Sequence, residues 1–140
     1  MSGSDQPGRV LGIDYGSKRV GLAISDPLRL TAIALEVVSL TGALNRIAGV
    51  VVEREVSEIV IGLPVGLSGR EGPAAAAARN FARQLAEKVD VPVSFIDERY
   101  TTTTAEQVML EAGVKRAQRR QSVDKVAATV ILRSFLDRGR

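Results

Sequence analysis

"VLGIDYGSKRVGLAISD", residues 10–26, decides how the chain begins. Two apolar runs, RVLGIDYG (9–16) and RVGLAISD (19–26), flank a short glycine-containing turn, the pattern of a β-hairpin. A third β-rich run, IALEVVSL (33–40), follows the DPLRL break, so the first three strands form an antiparallel meander. The period then changes. Leu44, Ile47, Ala48 and Val51 fall at helical spacing and predict a helix over 42–55. EIVIGLP (58–64) is almost continuously apolar, as a strand buried on both faces must be. After a glycine-rich loop, Pro73 opens a second helix with Ala74, Ala77, Ala78, Phe81 and Leu85 along one side. VPVSFIDE (91–98) is the fifth strand. Thr103 and Glu106 have capping-box spacing for a further helix that stops at Gly113. A last helix starts from Ser122, with Val123, Val126, Ala127 and Val130 on its apolar face. The order predicts an α/β fold: a five-stranded mixed sheet, a meander followed by parallel crossovers, with helices on both faces.

The chain has 140 residues, enough for one domain with a real core, here over 9–138, behind a flexible tail at 1–8. The start lacks the basic and apolar parts of a signal peptide, and no apolar run is long enough to span a bilayer. A cytoplasmic protein with no membrane partner is expected. Cysteine is absent, which removes disulfides, thiolate metal sites and cysteine nucleophiles. Histidine is absent too, so any enzyme chemistry must rest on carboxylates, lysines, hydroxyls or a metal ion. The net charge of +3 permits a polyanionic partner.

Acidic residues recur at strand ends. Asp14 ends the first strand, Asp97 and Glu98 end the fifth, and Asp124 sits in the predicted first turn of the last helix. If the first and fifth strands are parallel, their ends share one edge of the sheet. Carboxylates gathered there repel one another unless a cation joins them. Mg²⁺ or Mn²⁺ suits oxygen ligands, and two such ions about 3.5–4 Å apart clamp both sides of a phosphodiester displacement without histidine or cysteine. Each acid also has a plainer reading. Asp14 before Tyr-Gly can form an Asx turn, Asp124 can offset a helix dipole, and Glu98 can pair with Arg99 or face solvent. Strand alternation puts Asp97 and Glu98 on opposite faces, and spacing does not say which joins the cluster.

Four blocks, GIDYGSKRVGLAISD, IVIGLPVGLSGREGP, FIDERYTT and VDKVAATVIL, resemble the signatures of the YqgF family, also called RuvX. The resemblance runs over about residues 9–136. It implies an RNase H-like fold and a Mg²⁺- or Mn²⁺-dependent endonuclease. Asp14, Glu98 and Asp124 are then the catalytic, metal-binding carboxylates, with Glu98 chosen over Asp97. The expectation placed first is a structure-selective resolvase of four-way DNA junctions, whose symmetry calls for a homodimer. The alternative within the same chemistry is an RNase that matures the 5′ end of the 16S ribosomal RNA precursor.

Positive charge lies beside each acid. Lys18 and Arg19 follow Asp14, Arg99 follows Glu98, Lys125 follows Asp124, and Lys115, Arg116, Arg119 and Arg120 precede it. Such residues hold a nucleic-acid backbone, although basic runs also serve as solvated surface. The glycines at 62, 66, 69 and 72 read as a flexible loop, without the Gly-Lys-Ser/Thr of a P-loop. Tyr15 and Tyr100 can touch a base or sugar, or simply pack. Two other classes compete. GIDYGSKRVGLAI also resembles the first phosphate loop of actin-like sugar kinases, which require a second such domain, and a non-catalytic nucleic-acid-binding protein would need the charges but not the acids.

Overall fold

The computed structural model describes residues 7–66, 68–100 and 116–138, without the side chains of 100 and 116–125. Five strands form one sheet: β1 (Arg9–Tyr15), β2 (Arg19–Ser25), β3 (Ala32–Ser39), β4 (Val56–Leu63) and β5 (Val93–Asp97). The order across the sheet is β3-β2-β1-β4-β5. β1 pairs antiparallel with β2, and β2 with β3, which is the expected meander. β4 lies parallel to β1, and β5 parallel to β4, so the carboxyl ends of β1, β4 and β5 share one edge.

The helices are α1 (Ala43–Glu53), α2 (Pro73–Ala86) and α3 (Arg116–Arg138). Alternation along the strands sorts their side chains between two layers. Leu11, Ile13, Val20, Leu22, Ile59 and Ile61 face α1 and α2, where they meet Ile47, Val50, Phe81 and Leu85. Val10, Ala23, Val60 and Ile96 face α3 and meet Ala128, Ile131, Leu132 and Leu136. Helices therefore cover both faces. α3 lies unusually close to β1, since a Cβ on Gly12 would stand 2.7 Å from Cβ of Leu132 and 3.1 Å from the Ala128 carbonyl oxygen. Among the described residues, no helix is long and apolar enough to cross a membrane.

Three details differ from the sequence reading. The last helix begins at Arg116 rather than Ser122, so Asp124 lies well inside it and does not sit at a helix start. Ala, Arg and Gln are good helix formers, and they carry the helix back through the basic segment. Gly62 lies inside β4, as the strand reading over 58–64 has it, and not in the loop with the glycines at 66, 69 and 72. Pro7 and Gly8, read as tail, are fastened to the β2–β3 loop: the Gly8 amide donates to the Pro27 carbonyl at 3.0 Å, and Arg29 donates to both Gly8 and Pro7 carbonyls. The helix expected after Thr103 falls outside the described residues.

Candidate active site

Strand parity places the acids. In β1, Val10 and Gly12 face α3, so Asp14 does as well. In β5, Ile96 faces α3; Glu98, two residues on, continues that face as the first residue of a short 3-10 turn, Glu98–Tyr100. Asp97 falls on the other face. Ile13 pairs with Ile61, so Asp14 comes level with Gly62, while Leu63 pairs with Asp97 just before Glu98. Asp14 and Glu98 thus flank β4, which lies between their strands.

Gly62 makes that approach possible. A Cβ there would stand 2.6 Å from Oε1 of Glu98 and 2.5 Å from Cδ1 of Ile131. The missing side chain is the space in which the Glu98 carboxylate rests, roofed by α3. Strands one apart are about 10 Å from each other across an intervening strand, so side chains must lean over β4 to meet. Burial pushes the Glu98 carboxyl above its ordinary pKa, and the charge of Asp14, then that of Asp97, pushes the same way. Two half-buried carboxylates that raise each other's energy, with only oxygen donors and a space kept open by a glycine, fit a hard divalent cation. Among the described residues no group of three metal-ligating side chains assembles. Asp124 is a helical position one turn before Ala128, which packs on β1, and its side chain lies outside the described residues.

Asp97 has a different occupation. Its Oδ1 accepts from the Arg99 amide at 2.9 Å, and its Oδ2 accepts from Nε at 2.9 Å and Nη2 at 2.7 Å. Those Arg99 bonds hold its carboxyl below the usual range. Alternation thus separates two adjacent acids into an ion-paired one and an unusually buried one. Spacing within the segment could not choose between them, because alternation orders side chains only along one strand and the register that sets Ile96 beside Gly62 comes from long-range pairing.

The sequence pattern of the RuvX family, described as Holliday junction resolvase, matches residues 8–138. The chain belongs to the RuvX family. A relative from Roseiflexus sp. is 41% identical over 98% of this chain and 99% of its own. One from Moorella thermoacetica is 46% identical over 93% of this chain and 95% of its own. Another, from Myxococcus xanthus, is 45% identical over 94% of this chain and 89% of its own. Each is described as a candidate pre-16S rRNA nuclease. Among solved structures, Thermus thermophilus RuvC in complex with a Holliday junction substrate superposes with a TM-score of 0.65 at 20% identity, covering 94% of this chain and 96% of that one. The fowlpox virus Holliday junction resolvase superposes with a TM-score of 0.55 at 12% identity, covering 93% and 99%. At that distance the likeness is one of fold, RNase H-like.

The expectation that put junction resolution first is therefore corrected. Relatives at 40–46% identity are described as candidate nucleases of pre-16S ribosomal RNA, against which stand the general description of the family and resolvase structures only 12–20% identical. Carboxylates and basic runs are common to both reactions, so they could not separate them. The two-fold dimer was argued from junction symmetry and loses that support. Family and relatives agree on the class of reaction, a nuclease-type hydrolysis.

In this RuvX-family chain, Lys18 and Arg19 are exposed where β1 turns into β2, at the same sheet edge as Asp14. Arg99 stands beside Glu98, clamped by Asp97. Arg116, Arg119, Arg120 and Lys125 are α3 positions whose side chains are outside the described residues, and Lys115 lies outside them entirely. Tyr15 packs rather than reaching toward the acids: its ring is 4.8 Å from that of Phe81, on the opposite face from Asp14. Tyr100's side chain is not described.

Proposed function

We propose that this chain is a metal-dependent ribonuclease that processes the precursor of 16S ribosomal RNA, with Asp14 and Glu98 at its catalytic centre. The observation that carries the reading is the Glu98 carboxylate seated over Gly62, on the face and at the strand-end edge where Asp14 also lies, with the Asp14 charge acting on it. Asp14 and Glu98 would hold Mg²⁺ or Mn²⁺, with Asp124 as a third donor from α3. When bound, the ion supplies Lewis-acid activation of the scissile phosphate. The protein's own contribution is to seat the Glu98 carboxylate beside Ile131 in the space that Gly62 leaves, at the edge where β1 brings Asp14. Lys18, Arg19, Arg99, Lys115, Arg116, Arg119, Arg120 and Lys125 would bind the RNA backbone by charge rather than by base. The descriptions of the relatives at 41–46% identity support RNA as the substrate.

The test is cleavage of a 5′-extended 16S precursor fragment in Mg²⁺ or Mn²⁺, beside a four-way DNA junction and a plain duplex. The wild-type chain should shorten the precursor at its 5′ side. Asp14→Asn and Glu98→Gln should each slow cleavage by about 100-fold or more while the RNA still binds. Variants that cut at the wild-type rate, or a protein that cuts only the junction, would overturn the proposal.

A further inference from the structure

The Asp97 carboxylate is engaged at both oxygens by the residue two positions on. Oδ1 accepts the Arg99 backbone amide and so closes the turn that carries Glu98. Oδ2 takes the Nε–Nη2 edge of the same residue's guanidinium at 2.9 and 2.7 Å. These bonds hold the guanidinium by one edge. Its Nη1 is directed at the glycine-rich loop, 3.6 Å from where a Cβ on Gly69 would stand.

Arg99 and Glu98 together line a cavity of about 500 Å³, whose other walls include Gly66, Arg70 and Pro73. The loop that forms this wall is itself fastened down. Glu71 accepts from Arg79 of α2 at 2.6 and 2.7 Å, and the Arg79 guanidinium stacks on the Phe95 ring of β5 at 5.0 Å. Loop, helix and strand end are thus tied together around the cavity, and the Arg99 guanidinium that lines it is already held by Asp97. A planar arginine fork recognises phosphate best when its rotamer is already fixed.

We infer that Asp97 is a positioning residue: it holds Arg99 against the cavity beside Glu98, where the guanidinium meets a phosphate of the substrate strand next to the scissile one. This rests on the nuclease reading above. The Asp97 charge offsets that of Arg99 and by itself would weaken the hold on a phosphate, so any gain in binding that Asp97 brings is one of orientation. That gain in binding must run through Arg99, whereas the Asp97 charge on Glu98 would act on turnover.

A double-mutant cycle on the full chain tests this. Asp97→Asn, Arg99→Ala and the double variant are compared for binding of the 5′-extended precursor RNA in chelator, and for KM and kcat with Mg²⁺. Asp97→Asn keeps an oxygen for the turn amide but weakens the hold on the guanidinium. Each single variant should raise Kd and KM about tenfold with kcat changed less than about threefold, and the double variant should be no worse than Arg99→Ala alone. Glu98→Gln, measured alongside, should lose turnover and keep binding. An Asp97→Asn effect that persists undiminished in the Arg99→Ala background would assign Asp97 a purely structural part. Loss of kcat with unchanged Kd would place it among the catalytic acids, and no effect on either would end the inference. A wild-type chain that neither binds nor cuts the RNA would defeat the nuclease reading itself; cutting with an additive cycle would defeat only the role of Asp97.

Discussion

Glu98 holds its carboxyl where burial and the charges of Asp14 and Asp97 disfavour ionisation. An acid whose pKa is raised on folding makes the folded state bind more protons than the unfolded one. The stability this brings is fully present below the unfolded value, near 4.3, and is lost as pH rises through the folded pKa. At neutral pH the ionised side chain therefore works against folding. Glu98→Gln should raise the melting temperature in chelator by about 2–4 °C at pH 8, with the gain fading as pH falls to about 4. Thermal unfolding across that range checks it, and a gain independent of pH would show another cause. Asp26 shows the opposite sign. The Thr31 and Leu30 amides, both at 2.8 Å, hold its carboxyl below the usual range. Its contribution is present above the unfolded value, near 3.9, and is lost as pH falls through the folded one. Asp26→Asn should cost about 1 kcal/mol or less at pH 7, because solvent screens so exposed a group, and should cost nothing in strong acid. Urea unfolding at several pH values measures this directly.

At the scale of elements, two glycines in neighbouring strands do different work under the same helix. A Cβ on Gly12 meets the Leu132 Cβ and the Ala128 carbonyl, parts of α3 that cannot swing aside. Gly12→Ala should therefore cost about 1–3 kcal/mol by pushing the helix off β1. A Cβ on Gly62 meets side chains and no backbone: the Glu98 carboxylate, which can turn away, and Cδ1 and Cγ1 of buried Ile131, which must shift. Gly62→Ala should be milder in unfolding experiments yet damage cleavage, because the displaced group is the Glu98 carboxylate. Equal losses of stability and activity in both variants would refute this division. The elements themselves were readable because hydrophobic periodicity reports burial directly, and β1, β2, α1 and α2 lie within a few residues of their predicted bounds. The start of α3 was misread because Ser122 looks like a cap, yet a serine inside a run of good helix formers does not stop a helix.

For the molecule as a whole, the sequence by itself determined the mixed α/β sheet, the absence of histidine and cysteine chemistry, and the acids available to replace it. These follow from residue type and local period, which need no knowledge of distant contacts. The substrate was less accessible to such reasoning, since a phosphodiester bond asks for the same acids and cations in DNA as in RNA; the relatives, not the residue pattern, turned the reading toward ribosomal RNA precursor. The family resemblance already preferred Glu98 to Asp97, but only the tertiary structure shows that Glu98 shares a face with Asp14 while Asp97 instead grips Arg99. Alternation puts two adjacent side chains on opposite faces, but only the packing of α3 against Gly12 and Gly62 says which face is the covered one. Long-range parallel pairing then brings residues 14 and 98 to one edge, a relation set by β4 lying between them and invisible in either segment read alone.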